Sequence, residues 1–203
     1  GTTDHQYTCN TCGRQKKSCP GHPGSIVLRE PVQVPIAVAA TRRWLKAVCL
    51  ECGGLMSDRA MLERLPLGKR LAKAADDNDE RPCPHCRAVH PKIVQSEEDN
   101  FTFLAETGGS DSRPPKQVVL TPAQIRSAFE RVRPDVVRLL GGGDPRRFIM
   151  EVLQVPPVTI RPGVRVAGSA SSSSNHDLNT ILQYIAKANT GAHDERWLAT
   201  MQQ

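Results

Sequence analysis

The sequence predicts an α+β fold, made mostly of helices with short strands and stabilised by bound metal. Cysteine and histidine form chelating pairs in its first half, several segments carry apolar residues at helical spacing, and shorter apolar segments end at turn-forming residues. A length of 203 residues suffices for one or two domains with a buried core. The apolar runs fall short of the roughly 18 residues that cross a bilayer. Aromatic residues make up only 4%, which argues against rows of base-stacking side chains.

Seven cysteines and one histidine form four pairs with the same spacing. Six cysteines lie in C-x-x-C pairs, and Cys19 is followed at that separation by His22. A structural zinc ion needs four nitrogen or sulfur ligands, and a two-residue spacer lets a tight turn aim two of them at one point. The sequence therefore predicts two structural Zn²⁺ sites. The first is formed by Cys9, Cys12, Cys19 and His22, and the second by Cys49, Cys52, Cys83 and Cys86.

Other readings of the cysteines remain open at this point. An odd number of cysteines cannot all pair as disulfides within the chain, which disfavours a secreted disulfide scaffold. A single C-x-x-C is also compatible with a redox dithiol, and alternate pairs are cross-braced in RING-type ubiquitin ligase modules. A set of four protein ligands leaves no open position for hydrolytic chemistry, so we expect both ions to be structural.

Basic residues concentrate at the amino-terminal end. Residues 1–48 contain seven Lys and Arg against two acidic residues, whereas two zinc ions and seven thiolates bring the whole chain from +6 to about +3. Three of the cations, Arg14, Lys16 and Lys17, lie on the loop within the first predicted site, and Arg42 and Arg43 lie on the next predicted helix. Both a phosphate-facing edge and a solvated charged loop fit this pattern.

The apolar pattern predicts the following elements in order. Residues 25–28, 89–94 and 101–104 are predicted strands, and 36–48 is a predicted helix. A helix over 58–75 is interrupted at Leu65-Pro66. Thr121-Pro122 opens a helix that ends before Pro134, 135–140 restarts it, and Asp144-Pro145 repeats the capping pattern ahead of a further helix over FIMEVL. Residues 155–163 are too rich in proline for a central strand or a helix and predict an extended connector.

The carboxyl-terminal part contains a flexible segment and a last helix. Residues 168–175 are rich in serine, and 177–188 has helical apolar spacing. Composition shifts divide the sequence into three stretches: a first zinc region with its helix over 1–48, a second zinc region with a helical insertion over 49–106, and a helical segment over 107–203. The chain begins without a methionine or a charged-then-apolar leader, and we expect it to start inside a longer polypeptide without an export signal.

Residues 1–32, GTTDHQYTCNTCGRQKKSCPGHPGSIVLREPV, resemble the first zinc region of the largest subunit of multisubunit DNA-dependent RNA polymerases. The segments WLKAVCLECGGLM, VPPVTIRPGV and DLNTILQYIAKAN resemble later parts of the same region in the same order. The segments AVHPKIV, FTF and IRPGVRV resemble the largest polymerase subunits of large nucleocytoplasmic DNA viruses, asfarvirus-like ones in particular, more than they resemble the cellular subunits. Pro23 and Ser25 depart from the aromatic residue and the histidine that cellular members usually carry after CPGH.

The resemblance implies that this chain is the amino-terminal part of the polymerase clamp. It implies contacts with the rest of the largest subunit, the other polymerase subunits, template DNA and the RNA–DNA hybrid. Residues 161–177 match the lid loop, which adds Arg161 and Arg165 to the candidate nucleic-acid contacts. The parent would be a nucleotidyltransferase whose Mg²⁺ is held elsewhere, because the NADFDGD-type aspartate loop is absent from this sequence.

The resemblance also implies a location inside the cell: the host cytoplasm or the virion for a viral protein, the nucleus for a cellular one. The alternative function is a stand-alone zinc-binding adaptor or a ubiquitin-ligase-like interaction module without membrane association. Such a module would fold alone and cross-brace its zinc pairs, whereas a polymerase segment would expose apolar surface for other subunits.

Overall fold

The computed structural model describes residues 6–76, 78–109, 114–161, 164–165, 173–174 and 177–190. The chain forms two compact units. Unit 1 combines Gly1–Arg29 with Glu151–Gln203, and unit 2 is Glu30–Met150. These units are defined by spatial contacts and join distant parts of the chain. The division of the sequence into 1–48, 49–106 and 107–203 stays a prediction about its linear organisation.

The structure is a mixed α/β arrangement, as the sequence predicts. In chain order the helices and strands are β1 (Gly24–Gln33), α1 (Val38–Ala47), α2 (Arg59–Glu63), α3 (Leu67–Ala74), β2 (Lys92–Gln95), β3 (Phe103–Thr107), β4 (Lys116–Leu120), α4 (Pro122–Glu130), α5 (Pro134–Leu140), β5 (Ile149–Val155), β6 (Val164–Arg165), β7 (Ser173–Ser174) and α6 (Asp177–Asn189). Short 3₁₀ turns occupy Pro35–Ala37, Pro145–Phe148 and Val158–Ile160. Among the helices of the described ranges, none combines the length and the apolar character that crossing a bilayer requires.

Unit 2 contains the apolar core. Helices α1, α3, α4 and α5 pack around Trp44, Leu45, Phe129 and Leu140, each fully buried. The antiparallel sheet β2–β3–β4 adds Ile93 and Phe103 to the same core, with β3 in the middle. Burial of these large apolar side chains, at roughly 25 cal/mol per Å² of apolar surface, is a major contribution to the stability of this unit.

Helix boundaries follow the local signals in unit 2. The proline at 66 separates α2 from α3, as predicted. At the start of α4 the Thr121 hydroxyl accepts the Gln124 backbone N–H at 3.3 Å, and the Gln124 side chain accepts the Thr121 backbone N–H at 2.9 Å. This reciprocal capping box satisfies two donors that the helix itself cannot pair. Strand β4 is absent from the predicted elements and is found only in the structure.

The predicted helix over FIMEVL is wrong. The Asp144 carboxylate caps only the 3₁₀ turn Pro145–Phe148, accepting the Arg146 N–H at 3.1 Å, and the chain continues as β5, which pairs with β1. A short apolar run fits both states, and here the pairing with a strand more than a hundred residues away decides between them. The predicted connector over 155–163 is also less extended than expected, because it contains the turn Val158–Ile160.

Candidate metal centres

Three of the four chelating pairs adopt the same backbone turn, which we call a knuckle. In each knuckle the first cysteine accepts the N–H of the residue four positions on and donates its own N–H to the carbonyl five positions on. The bonds are Gly13 N to Cys9 O at 2.7 Å and Cys9 N to Arg14 O at 2.8 Å, Gly53 N to Cys49 O at 2.9 Å and Cys49 N to Gly54 O at 2.8 Å, and Arg87 N to Cys83 O at 2.9 Å and Cys83 N to Ala88 O at 2.8 Å. Isolated antiparallel bridges flank all three turns.

The residue after the second cysteine of each knuckle has a left-handed backbone. Its φ is +66° at Gly13, +67° at Gly53 and +63° at Arg87. An L side chain is disfavoured in this conformation, which explains glycine at two of the positions. The sequence analysis did not use this position, although the pattern C-x-x-C-G at 9–13 and 49–53 carries the signal.

The fourth pair, Cys19 and His22, uses a different turn. Pro23 occupies the position that is left-handed in the knuckles, and a proline ring holds φ near −65°. The left-handed residue is instead Gly21, with a φ of +82°, which lies between the two ligands. Two bonds to the Gln15 carbonyl, from the Ser18 and Cys19 N–H groups at 3.0 and 2.9 Å, lead the chain into this turn.

The first candidate site brings together Cys9, Cys12, Cys19 and His22, whose ligand atoms all lie within 4.8 Å of one another. The sulfur atoms of Cys12 and Cys19 are 3.8 Å apart, and the Cys19 sulfur is 3.6 Å from His22 Nε2. Ligands about 2.3 Å from a tetrahedral zinc ion through sulfur, or 2.0–2.1 Å through nitrogen, stand about 3.6–3.8 Å apart. The donor set and its spacing therefore fit zinc.

The second candidate site joins two knuckles, those of Cys49/Cys52 and Cys83/Cys86, with all four sulfur atoms within 4.8 Å of one another. The Cys49 and Cys86 sulfurs are 3.6 Å apart, and those of Cys52 and Cys83 are 3.7 Å apart. These distances also match the edge of a zinc–thiolate tetrahedron, about 3.8 Å. Helices α2 and α3 lie between the two knuckles in the chain, and the chain folds back after α3 so that the second knuckle lies beside the first.

The two clusters distinguish between the arrangements left open by the sequence. Each cluster joins neighbouring pairs, and within the described residues no cluster joins the alternate pairs that cross-bracing requires. All seven cysteines are free of disulfide bonds. Because each cluster supplies four protein donors, a bound ion would have a closed coordination shell, and the chemistry of such a shell is structural.

Backbone N–H groups and burial act on the thiols in opposite directions. The Cys12 N–H lowers the pKa of Cys9 to about 5, against burial, which raises it. At Cys83 burial raises the pKa of the thiol, but the N–H groups of Cys86 and His85 outweigh burial and lower the pKa to about 7. Burial instead raises the pKa of Cys49 to about 12. The knuckle N–H groups thus favour the thiolate, the form that binds metal, at Cys9 and Cys83, whereas burial prevails at Cys49.

The candidate nucleic-acid contacts have different surroundings. Arg14, Lys16 and Lys17 are exposed on the loop of the first site, and Arg42 and Arg43 are exposed on α1. Among the residues that the structure describes, no acidic side chain forms an ion pair with any of these five. Other arginines on the surface, including Arg59, Arg133 and Arg146, are paired with aspartate.

The two candidates near the predicted lid differ from these five. Arg161 is partly buried and donates to the Pro156 carbonyl at 3.0 Å and to Asn179 Oδ1. Arg165 lies in β6, which pairs with β7 through Val164↔Ser174 and Arg165↔Ser173. The side chain of Arg165 and most of 161–177 lie outside the described residues.

Comparison with known proteins extends over nearly the whole chain. The family model described as RNA polymerase Rpb1, domain 1, matches residues 1–196. The chain is 41% identical over 193 residues, 93% of its length, to the "DNA-directed RNA polymerase RPB1 homolog" of African swine fever virus (strain Badajoz 1971 Vero-adapted), and it covers 13% of that protein. It is 30% identical over 205 residues, 90% of its length, to the "DNA-directed RNA polymerase subunit Rpo1N" of Sulfolobus acidocaldarius, of which it covers 22%.

Proposed function

The chain belongs to the RNA polymerase Rpb1 domain 1 family, and from this premise we propose that it forms the N-terminal clamp segment of the largest subunit of a DNA-dependent RNA polymerase. It spans about 13% of the length of its viral relatives, so the nucleotidyltransferase activity belongs to the proposed parent. The observation that carries the proposal is the family match over 1–196, a range that contains both four-ligand clusters. No described contact favours the stand-alone adaptor.

We propose that each cluster holds one structural Zn²⁺. In a closed shell the ion supplies folding free energy, and the chain's own part is to present thiolates and the His22 imidazole at tetrahedral spacing. The Mg²⁺ of the parent enzyme would be held outside this segment. Elemental analysis of the purified full polypeptide should give two zinc ions for this region, and Cys12→Ser or Cys86→Ser should each remove one. A folded sample in which neither variant changes the zinc content would refute the assignment.

The mechanical role proposed for this segment is retention of template DNA and the RNA–DNA hybrid through phosphate contacts. Its support is the contrast between cations that have no ion pair among the described residues and cations that are paired with an acidic side chain. A cation without a nearby carboxylate keeps its charge available for a phosphate, whereas one held by an aspartate has already been neutralised locally. By this criterion Arg14, Lys16, Lys17, Arg42 and Arg43 are the better candidates, and Arg161 is a weaker one because its guanidinium already has partners.

Binding of an RNA–DNA hybrid scaffold to the assembled polymerase tests this role. The logarithm of the affinity falls linearly with the logarithm of the salt concentration, and each phosphate contact removed should make this dependence shallower by about 0.9. Lys16→Glu and Lys17→Glu should weaken binding at all scaffold sequences and reduce the slope. The matched control is Arg146→Glu, which changes the same charge at a residue already paired with Asp144 at 2.7 Å. Equal effects of the control and the test variants would exclude the loop as a contact.

The remaining parts of the proposal follow from the family. Segment 161–177 would act as the lid that separates the transcript from the template, and the other polymerase subunits would be the partners. Deletion of 169–174 in the whole enzyme should then impair transcript displacement, and unchanged elongation and release would refute the lid assignment. We propose an intracellular site of action, the host cytoplasm or the virion for a viral parent and the nucleus for a cellular one.

A further inference from the structure

We infer that the first metal site positions helix α6 through a chain of contacts within unit 1, and that Gly21, Arg161, Asn179 and Asn189 are the positioning residues of this chain. These contacts lie among the described residues, and the proposal rests on the metal proposed for the first cluster and not on the proposed polymerase function. The chain of contacts starts at the turn between the ligands Cys19 and His22.

The first step is a close approach between the metal loop and the turn Val158–Ile160. A Cβ added at Gly21 would lie 2.5 Å from Thr159 Oγ1 and 3.0 Å from the Cβ of Pro157. Only a glycine allows this approach, and the left-handed φ of +82° at position 21 also favours glycine. Because Gly21 lies between two ligands, the metal that fixes Cys19 and His22 also fixes the surface against which Pro157 and Thr159 pack.

The second step connects this turn to α6. Arg161 directly follows the turn, and its guanidinium donates to Pro156 O at 3.0 Å and to Asn179 Oδ1. In return the Asn179 side chain donates to Arg161 O at 3.1 Å. A reciprocal pair of bonds, one of them charge-assisted, is directional and strong. It holds the first turn of α6 against residues 156–161.

The third step returns from the last turn of α6 to the metal site. The Asn189 side chain accepts the Arg29 backbone N–H at 2.5 Å and donates to the Val27 carbonyl at 2.7 Å. One amide group thereby makes the two bonds that a neighbouring strand would make to the edge of β1. Strand β1 begins two residues after His22, so the chain of contacts closes on the metal loop.

These polar contacts matter because the described residues of unit 1 include few fully buried apolar side chains. Among its described residues, the buried apolar side chain outside the metal ligands is Leu182 in α6, whereas Val27, Ile160, Ile181 and Tyr184 are each about half exposed or more. Leu178 and Ile185 of α6 are only partly buried, so directional bonds and the metal should add measurably to what positions this helix.

Hydrogen–deuterium exchange of the full polypeptide in its assembled form tests the inference. Cys12→Ser disrupts the first site, and Cys86→Ser, at the second site in unit 2, is the matched control. Loss of a few hydrogen bonds should speed amide exchange about five- to tenfold in peptides covering 156–161 and 177–189. We expect this acceleration with Cys12→Ser and not with Cys86→Ser. Equal exchange in α6 for the two variants would overturn the inference.

A second pair of variants leaves every ligand in place. Gly21→Ala should accelerate exchange in α6 clearly more than Gly13→Ala, which has a similar positive φ and nothing within 4 Å of the added Cβ. Thr159→Ala in the Gly21→Ala background should restore part of the protection, because it removes the hydroxyl at 2.5 Å while the Pro157 Cβ at 3.0 Å and the backbone strain at residue 21 remain. If Gly21→Ala fails to assemble, the Asn179→Ala and Arg161→Ala single variants and their double variant carry the test.

Asn179→Ala removes both bonds of the pair, whereas Arg161→Ala leaves the backbone carbonyl that accepts from Asn179. Adding Arg161→Ala to Asn179→Ala should therefore change exchange in α6 by no more than about twofold. Additive effects of the two changes, or no acceleration by either, would contradict the role of the Arg161–Asn179 pair. Failure of the scaffold-binding experiment would refute the proposed nucleic-acid contacts and leave these exchange results unaffected.

Discussion

The shared knuckle geometry predicts a graded response to substitution at one equivalent position. The three residues are Gly13, Gly53 and Arg87, each with φ between +63° and +67°. An L side chain in this region costs roughly 1–2 kcal/mol, and replacing glycine by alanine returns about 0.4–1 kcal/mol by restricting the unfolded chain. We therefore expect Gly13→Ala, whose Cβ meets nothing within 4 Å, to cost about 1 kcal/mol.

Gly53 has the same backbone and a different neighbourhood. An added Cβ would lie 2.3 Å from the Arg131 carbonyl oxygen and 2.7 Å from Val132 N, which are backbone atoms at the end of α4. The Arg131 guanidinium also donates to Leu50 O at 2.9 Å, so the knuckle cannot move away without losing that bond. Overpacking adds typically 1–3 kcal/mol to the strain, and Gly53→Ala should cost about 2–5 kcal/mol.

Arg87→Gly should have the opposite sign. The substitution relieves roughly 1–2 kcal/mol of left-handed strain and adds about 0.5–1 kcal/mol of backbone entropy cost, which leaves a gain of about 0.5–1 kcal/mol. The Arg87 side chain is exposed and contributes no described ion pair.

Competition with a zinc chelator would measure the zinc affinity of each variant, and thermal unfolding at saturating zinc would measure its stability. Each variant is compared with the unsubstituted protein. A Gly13→Ala cost equal to that of Gly53→Ala, or a destabilising Arg87→Gly, would show that the common knuckle does not control metal retention.

Three further changes test other parts of the structure. Thr121→Ala should destabilise the protein by about 1 kcal/mol and Thr121→Ser by much less, measured by denaturant unfolding, because serine keeps the capping hydroxyl; equal losses would argue against the capping box. Phe129→Ala should cost about 3–5 kcal/mol of unfolding free energy, and Trp44→Phe should cost less, because the Trp44 substitution also removes a buried indole N–H that has no described partner. A larger loss for Trp44→Phe than for Phe129→Ala would contradict this expectation. The hydrogen bond from Arg133, with Arg59 nearby, lowers the pKa of Asp135 to about 2. The pairing therefore stabilises the fold at every pH above the usual aspartate pKa, and this stabilisation is lost as the pH falls through about 2. Asp135→Asn should therefore lower the melting temperature slightly at neutral pH, an effect that about 1 M salt abolishes; an undiminished effect in salt would rule out the electrostatic cause.

Local signals were sufficient where the deciding interaction is short in sequence. The break at Pro66 and the capping of α4 at Thr121 depend on atoms within four residues, and the sequence predicts both. The FIMEVL segment failed because the same local cap at Asp144 is compatible with a helix or a 3₁₀ turn, and the partner that makes it a strand is the distant β1.

The candidate sites divide in the same way. Spacing alone grouped the eight donors into the two sets that the structure brings together, since a chelating pair is made by one turn and only four donors fit one ion. It did not reveal that Cys19 and His22 use a turn of their own, that Arg161 is already bonded to Asn179, or that Gly53 lies against the end of α4.

The sequence by itself therefore determined which residues can chelate metal, because the covalent chain enforces their separation. Only the tertiary structure decided which cations form ion pairs within the described residues and which glycines leave no room for a side chain. Those properties depend on atoms that approach from remote parts of the chain, and their positions follow from packing and hydrogen bonding across the whole unit.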